Sequence, residues 1–404
     1  MKNTSKTPHG IAHLLIIIIV LATLIGGLVL YALSKPKSKE GASEDPAKRI
    51  SALKDDCAGS GLVTMKNAPM DMQDVASVVP AGTLAGAHVT PIDHLYFYPK
   101  DMQNRDAAPV YAMADGYIVS YQERTQRVDN GAQQKGEYRI DIQHNCDVFS
   151  YFDLMTSLDP SIKDKVSSKE NGKIRVPVKA GQVLGRVGAQ SLDTAIYNYS
   201  TTLTGFVNTK TYDGEPWKIH LDDFFKYFKD PIRSEMLAKN ERKVEPYGGK
   251  IDYDIDGKLV GNWFEEGTNG YAGPKEFQAK PGVGGKGYWS GHLSIAPDAI
   301  TPKNINISFG EYQGEAKQFR ATTSSPDPKL IGVESGLTKY EYTRYTQQGG
   351  DFNPTGGVMQ GQNQVLGTVL FQLTETQKLK MEYFPGKMSS QVSAFTGSAK
   401  IYVR

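Results

Sequence analysis

Ala108-Pro109-Val110-Tyr111-Ala112-Met113-Ala114-Asp115-Gly116 and Val178-Lys179-Ala180-Gly181-Gln182-Val183-Leu184-Gly185-Arg186-Val187-Gly188 are the stretches whose reading decides the fold. In the first, Val110–Ala112 and Tyr117–Tyr121 flank Ala114-Asp115-Gly116, and an Asp-Gly pair between apolar runs is a hairpin signal. In the second, Ile174–Val178 and Val183–Val187 enclose a Lys-Ala-Gly-Gln turn. Between the two, Tyr138, Ile140 and Ile142 alternate with Arg139, Asp141 and Gln143, the period-two pattern of a half-buried strand. Cys146–Met155 is a further strand candidate. Short strands separated by Gly, Pro and Asp turns therefore run from about Asp74 to Asn208.

Outward from this block the character changes twice. Asp213 to Arg242 contains LDDFFKYFKDPIRSEMLAKN, helical in two pieces broken near Pro231. From Tyr247 strands return: Ile305/Ile307/Phe309, Val369/Phe371/Leu373, Leu379/Met381/Tyr383 and Ile401/Val403 each alternate with polar neighbours. On the N-terminal side, Leu14 to Leu33 is uncharged and matches the ~20 residues of a bilayer-spanning helix. Ser34-Lys35-Pro36-Lys37 after it is not a small-x-small cleavage site. The reading is an uncleaved single-pass anchor in the cell membrane with the bulk of the chain extracytoplasmic. Against that orientation, Lys35, Lys37 and Lys39 follow the run while only Lys2 and Lys6 precede it. A Lys/Pro/Ser/Glu-rich stretch comes next and reads as a tether. The expected organisation is a tail at 1–13, a transmembrane helix at 14–33, a flexible tether at 34–73, a β-domain at 74–210, a helical connector at 211–246 and a C-terminal β-barrel or sandwich at 247–404.

Composition sets outer bounds. The chain has 404 residues, with 46 basic against 44 acidic side chains and a net charge of +2. That balance gives no reason to expect nucleic acid as a partner. Apolar residues at 39% supply real cores, and 41 Gly with 21 Pro lean the chain towards turns and strands. Two cysteines exclude a disulfide-framework fold and a four-cysteine zinc site. Cys57 and Cys146 are the candidate disulfide for an oxidising compartment.

Four segments taken in order carry a family resemblance. They are His88-x4-Asp93; Ala108 to Gly116; Ile140-Asp141-Ile142-Gln143-His144 with Tyr151-Phe152-Asp153-Leu154; and Val178 to Gly188. Together they resemble the lysostaphin-type zinc endopeptidases over about residues 80–208. The resemblance implies a duplicated hybrid motif, that is, a barrel-sandwich-hybrid-like antiparallel β-domain. It also implies zinc held by a His and an Asp four apart plus the last His of a His-x-His pair. Three protein ligands leave one position for water, whose pKa on the metal falls towards ~7.

Measured against that pattern, His88 and Asp93 are five apart, and Asp153 stands where the family has a catalytic His. Asp193 and Ala195 stand at the two His-x-His positions, so one ligand of three is intact. The resemblance then implies a peptidase-like core that lacks catalytic residues and cofactor. Asp153, Asp193 and Tyr197 would line a retained groove for a cell-envelope polymer or a protein partner. A rearranged zinc hydrolase built from His88, Asp93, His94 and His144 is the alternative from the enzyme class. A third reading is that His88–His94 is only a hydrogen-bonded turn before Leu95-Tyr96-Phe97-Tyr98.

Three smaller signals complete the sequence. Asp252-x-Asp254-x-Asp256-Gly257 begins like a calcium loop, but Trp263 stands where the bidentate Glu belongs, and the segment reads as a hairpin. Gly261-Asn262-Trp263 resembles the opening of lipocalin barrels, which would permit an apolar ligand cavity. Asn198-Tyr199-Ser200 and Asn306-Ile307-Ser308 match the N-glycosylation sequon.

Overall fold

The Asp-Gly and Lys-Ala-Gly-Gln turns do not close hairpins; they are corners at which the chain passes from one sheet to another. The computed structural model describes residues 54, 56–124, 136–167, 174–278, 287–345 and 364–404. The first ten strands are β1 Val75–Val79, β2 Leu95–Pro99, β3 Ala108–Tyr111, β4 Gly116–Arg124, β5 Glu137–Gln143, β6 Val148–Met155, β7 Ser157–Leu158, β8 Val176–Val178, β9 Val183–Val187 and β10 Leu192–Asn198. A seven-stranded sheet runs β1-β2-β10-β6-β5-β4-β8 and a three-stranded sheet runs β3-β9-β7. β3 therefore pairs with β9, and β4 with β8, each antiparallel.

The two corners hold one another. Asp115 Oδ1 accepts from Ala180 N at 2.9 Å, Gly181 N donates to Ala112 O, and Ala112 N donates to Gln182 O. Gly116 is required there, because a Cβ would lie 2.5 Å from the Gln143 carbonyl oxygen. Val110, Ala112, Leu184 and Val187 of the small sheet share one core with Ile118, Ile140, Ile142 and Phe152 of the large one.

The segment 34–73 is not a tether throughout. Met65 and Met70 are fully buried in this core, and Met65 N donates to Tyr227 O at 2.8 Å. Cys57 is disulfide-bonded to Cys146. The connector is likewise part of the core. It forms short 3-10 turns at Lys218–His220 and Phe224–Tyr227 and a helix at Ile232–Lys239, and Phe224, Phe225, Tyr227 and Met236 are buried. The described residues belong to one compact unit. The run 14–33 lies outside the described residues. Among those described no helix is long and apolar enough to cross a membrane, and Pro160–Ser167 and Ile232–Lys239 are eight residues each against the ~20 a span needs. The expected location as a single-pass protein of the cell membrane is corrected on that ground.

The C-terminal strands are β11 Gly261–Glu265, β12 His292–Pro297, β13 Ile305–Tyr312, β14 Glu315–Ala321, β15 Thr338–Arg344, β16 Gly367–Glu375, β17 Lys378–Pro385 and β18 Lys400–Val403. They close into an antiparallel barrel in sequence order, with β11 pairing β18. Ile307, Phe309, Val369, Phe371, Leu373, Leu379 and Met381 point inward as their alternation predicts. β18 has the opposite phase: Tyr402 is buried, while Ile401 and Val403 are half-exposed.

Eight strands leave an interior that side chains can fill. Here aromatic rings fill it, with Phe319 and Tyr342 centroids 4.5 Å apart and Tyr312 and Tyr342 hydroxyls 3.0 Å apart. Trp263 plugs one end. Its Nε1 donates to Leu259 O at 2.9 Å, and the Arg404 guanidinium lies over its ring at 3.8 Å while donating to the Val260 and Lys258 carbonyls.

Residues 251–256 are not a hairpin, and their carboxylates do not converge. Asp252 accepts from Gly205 N, Asp254 from Asn262 N and Val207 N, and Asp256 from Gln377, so the acidic run fastens the barrel's first strand to the segment after β10 and reaches the β16–β17 turn. Both sequon asparagines are buried and hydrogen-bonded, Asn198 to Asp222 and Asn306 to Asp298. Barrel and core are joined elsewhere too. Asn262 Nδ2 donates to Tyr212 OH at 2.8 Å, and Gln318 exchanges two hydrogen bonds with the Gly86 backbone.

Candidate functional site

Strand register assembles the floor of a cleft. Asp193 on β10 lies opposite Tyr96 on β2 and opposite Asp153 on β6, so three side chains form a row across adjacent strands. Asp93 and His94 immediately precede β2, and Tyr197 stands four residues along β10 on the same face as Asp193. His88 comes from the loop clamped by Gln318 at Gly86. The connector adds Glu215, Trp217 and Lys218, and β5 adds Glu137 and Arg139. Two turns from the barrel half, Gly270–Ala272 and Tyr288–Gly291, supply Tyr271 and Tyr288 as the far wall. The enclosed volume is about 410 Å³.

A chain of alternating charges occupies the floor. Lys218 Nζ lies 3.0 Å from Asp93 Oδ1 and 3.4 Å from Glu215, with its side chain only 3% exposed. His94 Nδ1 is 3.3 Å from Asp93 Oδ1 and His94 Nε2 is 3.3 Å from Asp193 Oδ2, the latter an ion pair without an aligned hydrogen bond. Tyr197 OH donates to Asp93 Oδ2 at 3.0 Å, and Ser191 donates to Asp193. Burial disfavours a charge on His94, but Asp193 and then Asp93 outweigh it and raise its pKa to about 9. For Asp93 burial pushes the carboxyl up, yet Lys218 and His94 hold it well below the usual range. Burial, then the positive His94 and Lys218, lowers His88 to about 4, so it stays neutral.

Beside this chain Arg139 lies over the Tyr151 ring at 4.4 Å and the Trp217 ring at 5.8 Å. Its nearest carboxylate oxygens, on Asp141 and Asp153, are 4.0 Å away, and its Nε is enclosed without a hydrogen bond. Tyr151 OH donates to Asp153 Oδ2 at 2.9 Å.

The donors present do not fit a zinc ion. Both ring nitrogens of His94 already face carboxylates, Nδ1 3.3 Å from Asp93 and Nε2 3.3 Å from Asp193, so neither lone pair is turned towards an open position. Asp93 already receives Lys218, His94 and Tyr197 on its two oxygens. His88 is neutral but stands without a second imidazole able to ligate. Among the described residues no group of three or more His, Cys, Asp or Glu is arranged to hold a metal.

Six of the residues singled out from sequence, His88, Asp93, His94, Asp153, Asp193 and Tyr197, line this one cleft. His144 does not. Its Nδ1 is 2.8 Å from Asp115 O and its Nε2 2.8 Å from Ser150 Oγ, which ties the β5–β6 turn to a corner and removes it from the rearranged zinc set. The short-turn reading of His88–His94 also falls, because His94 and Asp93 bond across to β10 and the connector. Sequence reasoning missed Lys218, Trp217, Tyr271 and Tyr288, for which no periodicity or motif speaks. Arg139 was visible as the polar face of an alternating strand, and only its burial was not.

No protein-family model matches the chain, and no curated protein does. Two solved structures are similar to parts of it. A zinc-containing peptidase from Vibrio cholerae aligns at 16% identity over 35% of this chain and 36% of its own, with a TM-score of 0.20. Lysostaphin in solution aligns at 14% identity over 68% of this chain and 98% of its own, with a TM-score of 0.23. The chain thus spans about a third of the length of the Vibrio cholerae peptidase. The likeness is distant, too low to assign a fold or an activity.

Proposed function

We propose that the cleft binds and does not cut. It belongs to a lysostaphin-type peptidase-like core, built on the duplicated hybrid motif, that has given up its metal. It holds a cell-envelope polymer or peptide, either as a receptor for it or as an adaptor that presents it to another protein. The observation that carries this reading is the Lys218–Asp93–His94–Asp193 chain. An ammonium sits on the carboxylate that a metal would need, and the His94 ring is held between two aspartates, one at each nitrogen. The retained volume of about 410 Å³ supports binding as its use, since a core serving stability alone is packed without such space.

The test is the metal content of the full-length protein by elemental mass spectrometry after incubation with zinc, alongside titration of soluble peptidoglycan fragments by calorimetry. The expected result is fragment binding without zinc and without cleavage of the fragments by mass. Stoichiometric zinc that disappears in His88→Ala, together with chelator-sensitive cleavage, would overturn the proposal in favour of a hydrolase.

A further inference from the structure

We infer that the ligand of this cleft is an uncharged carbohydrate, the glycan part of an envelope polymer and not its peptide part. This rests on the reading of the cleft as a binding site and narrows it. The lining chemistry weighs against the other classes in turn. Leu154 is the one aliphatic side chain among those facing the space, so there is no pocket for an apolar side chain or an acyl group. An anionic ligand would meet five carboxylates, Asp93, Asp153, Asp193, Glu137 and Glu215, against three basic side chains, Arg139, Lys218 and His94. A ligand ammonium would have to displace internal cations from the carboxylates, since Lys218 lies 3.0 Å from Asp93 and 3.4 Å from Glu215 and His94 lies 3.3 Å from Asp193, while Arg139 and Lys218 already lie over the Tyr151 and Tyr271 rings.

What the cleft offers instead suits hydroxyl and acetamido groups. Arg139 presents a planar set of donors whose nearest carboxylate oxygens are 4.0 Å away, a gap a ligand oxygen can share. Carboxylates next to it accept from hydroxyls. Tyr96, Trp217 and Tyr288 are half-buried rings, apolar on their faces and polar at their edges, which suits the mixed faces of a sugar ring. The aromatic row also continues beyond the cleft. His94 just before β2 and Tyr96 and Tyr98 on it form a row with ring centroids 5.1 and 6.2 Å apart, and Tyr98 lies outside the enclosed space. A row leading outward fits a polymer longer than the cleft itself.

The experiment titrates the full-length protein by calorimetry with four probes: the N-acetylglucosamine tetramer, the corresponding deacetylated cationic tetramer, a hyaluronan tetramer as the anionic counterpart, and a peptidoglycan stem peptide free of sugar. The neutral tetramer is expected to bind at least tenfold more tightly than the others. Trp217→Ala should weaken it at least tenfold, and Trp217→Phe should keep most of the affinity, with both variants checked for an unchanged melting temperature. Binding of the stem peptide without the neutral tetramer overturns the carbohydrate assignment and leaves the binding cleft standing. Tightest binding of either charged tetramer overturns the requirement for neutrality. No binding by any probe overturns both the inference and the proposed function.

Discussion

The barrel and the cleft are built from the same kind of strand, yet they use their interiors in opposite ways. Inside the barrel alternate residues are mostly Trp, Tyr, Phe, Leu and Ile, their rings touch, and the Arg404 guanidinium spends itself on Trp263 and two backbone carbonyls. In the cleft the corresponding inward positions of β2, β5, β6 and β10 carry Tyr96, Arg139, Asp153 and Asp193, and a volume of about 410 Å³ is kept. Burying so many charges is costly unless each has a partner. The alternation Lys218–Asp93–His94–Asp193 meets that condition, with Glu215, Tyr197 and Ser191 as further partners. On the proposed reading the barrel is a support and the cleft a working surface.

The comparison breaks first at the barrel if it is wrong. Trp263→Ala should cost about 4 kcal/mol, because it removes a fully buried indole and leaves Arg404 over a void. Urea unfolding measures it, and a loss below about 1 kcal/mol would mean that the plug is not structural. In the cleft, Lys218→Met should cost about 3 kcal/mol by leaving the buried Asp93 carboxylate short of a cation. Adding Asp93→Asn should recover part of that loss; a purely additive double mutant would show that the two groups are not coupled.

Next comes pH. His94 titrates near 6.5 when unfolded and at about 9 when folded. A raised folded pKa stabilises fully below about pH 6.5 and is lost as pH climbs through 9. The loss should approach 3 kcal/mol between these limits, and His94→Gln should flatten that part of the stability curve. An unchanged slope in the variant would place the titration elsewhere. The smallest effect on the cleft belongs to the Cys57–Cys146 bond. Replacing both with Ser should cost about 4 kcal/mol of stability by freeing a loop whose ends are 89 positions apart, with no change in the cleft's affinity for its ligand, since the bond lies at the β5–β6 turn. A changed affinity would tie that turn to the site.

How much of this the sequence disclosed depended on distance along the chain. Inward positions on β13, β16 and β17 were readable because alternation is local. β18 was misread by one residue because Tyr402 and its neighbours are all apolar enough to face inward. The Asp115-Gly116 and Gly181-Gln182 turns were found, but their partners were not. A turn signal is the same for a hairpin and for a corner between sheets, and only the pairing of β3 with β9 and β4 with β8 tells them apart. Position matching brought His88, Asp93, Asp153 and Asp193 to one place. It had no means of finding Lys218, which reaches Asp93 from 125 positions away in a segment without pattern. His144 was the converse error, a correct residue type on the right strand whose ring faces a corner instead of the cleft.

Tyr271 and Tyr288 reach the cleft from turns that lie between β11 and β12, and Gln318 on β14 clamps the loop carrying His88. The boundary between the two β-regions is therefore not a boundary of function. A protein divided at residue 246 would keep every charge of the floor and lose its far wall. Selection acting on the barrel's turns can retune what the cleft accepts while the strands beneath it stay the same.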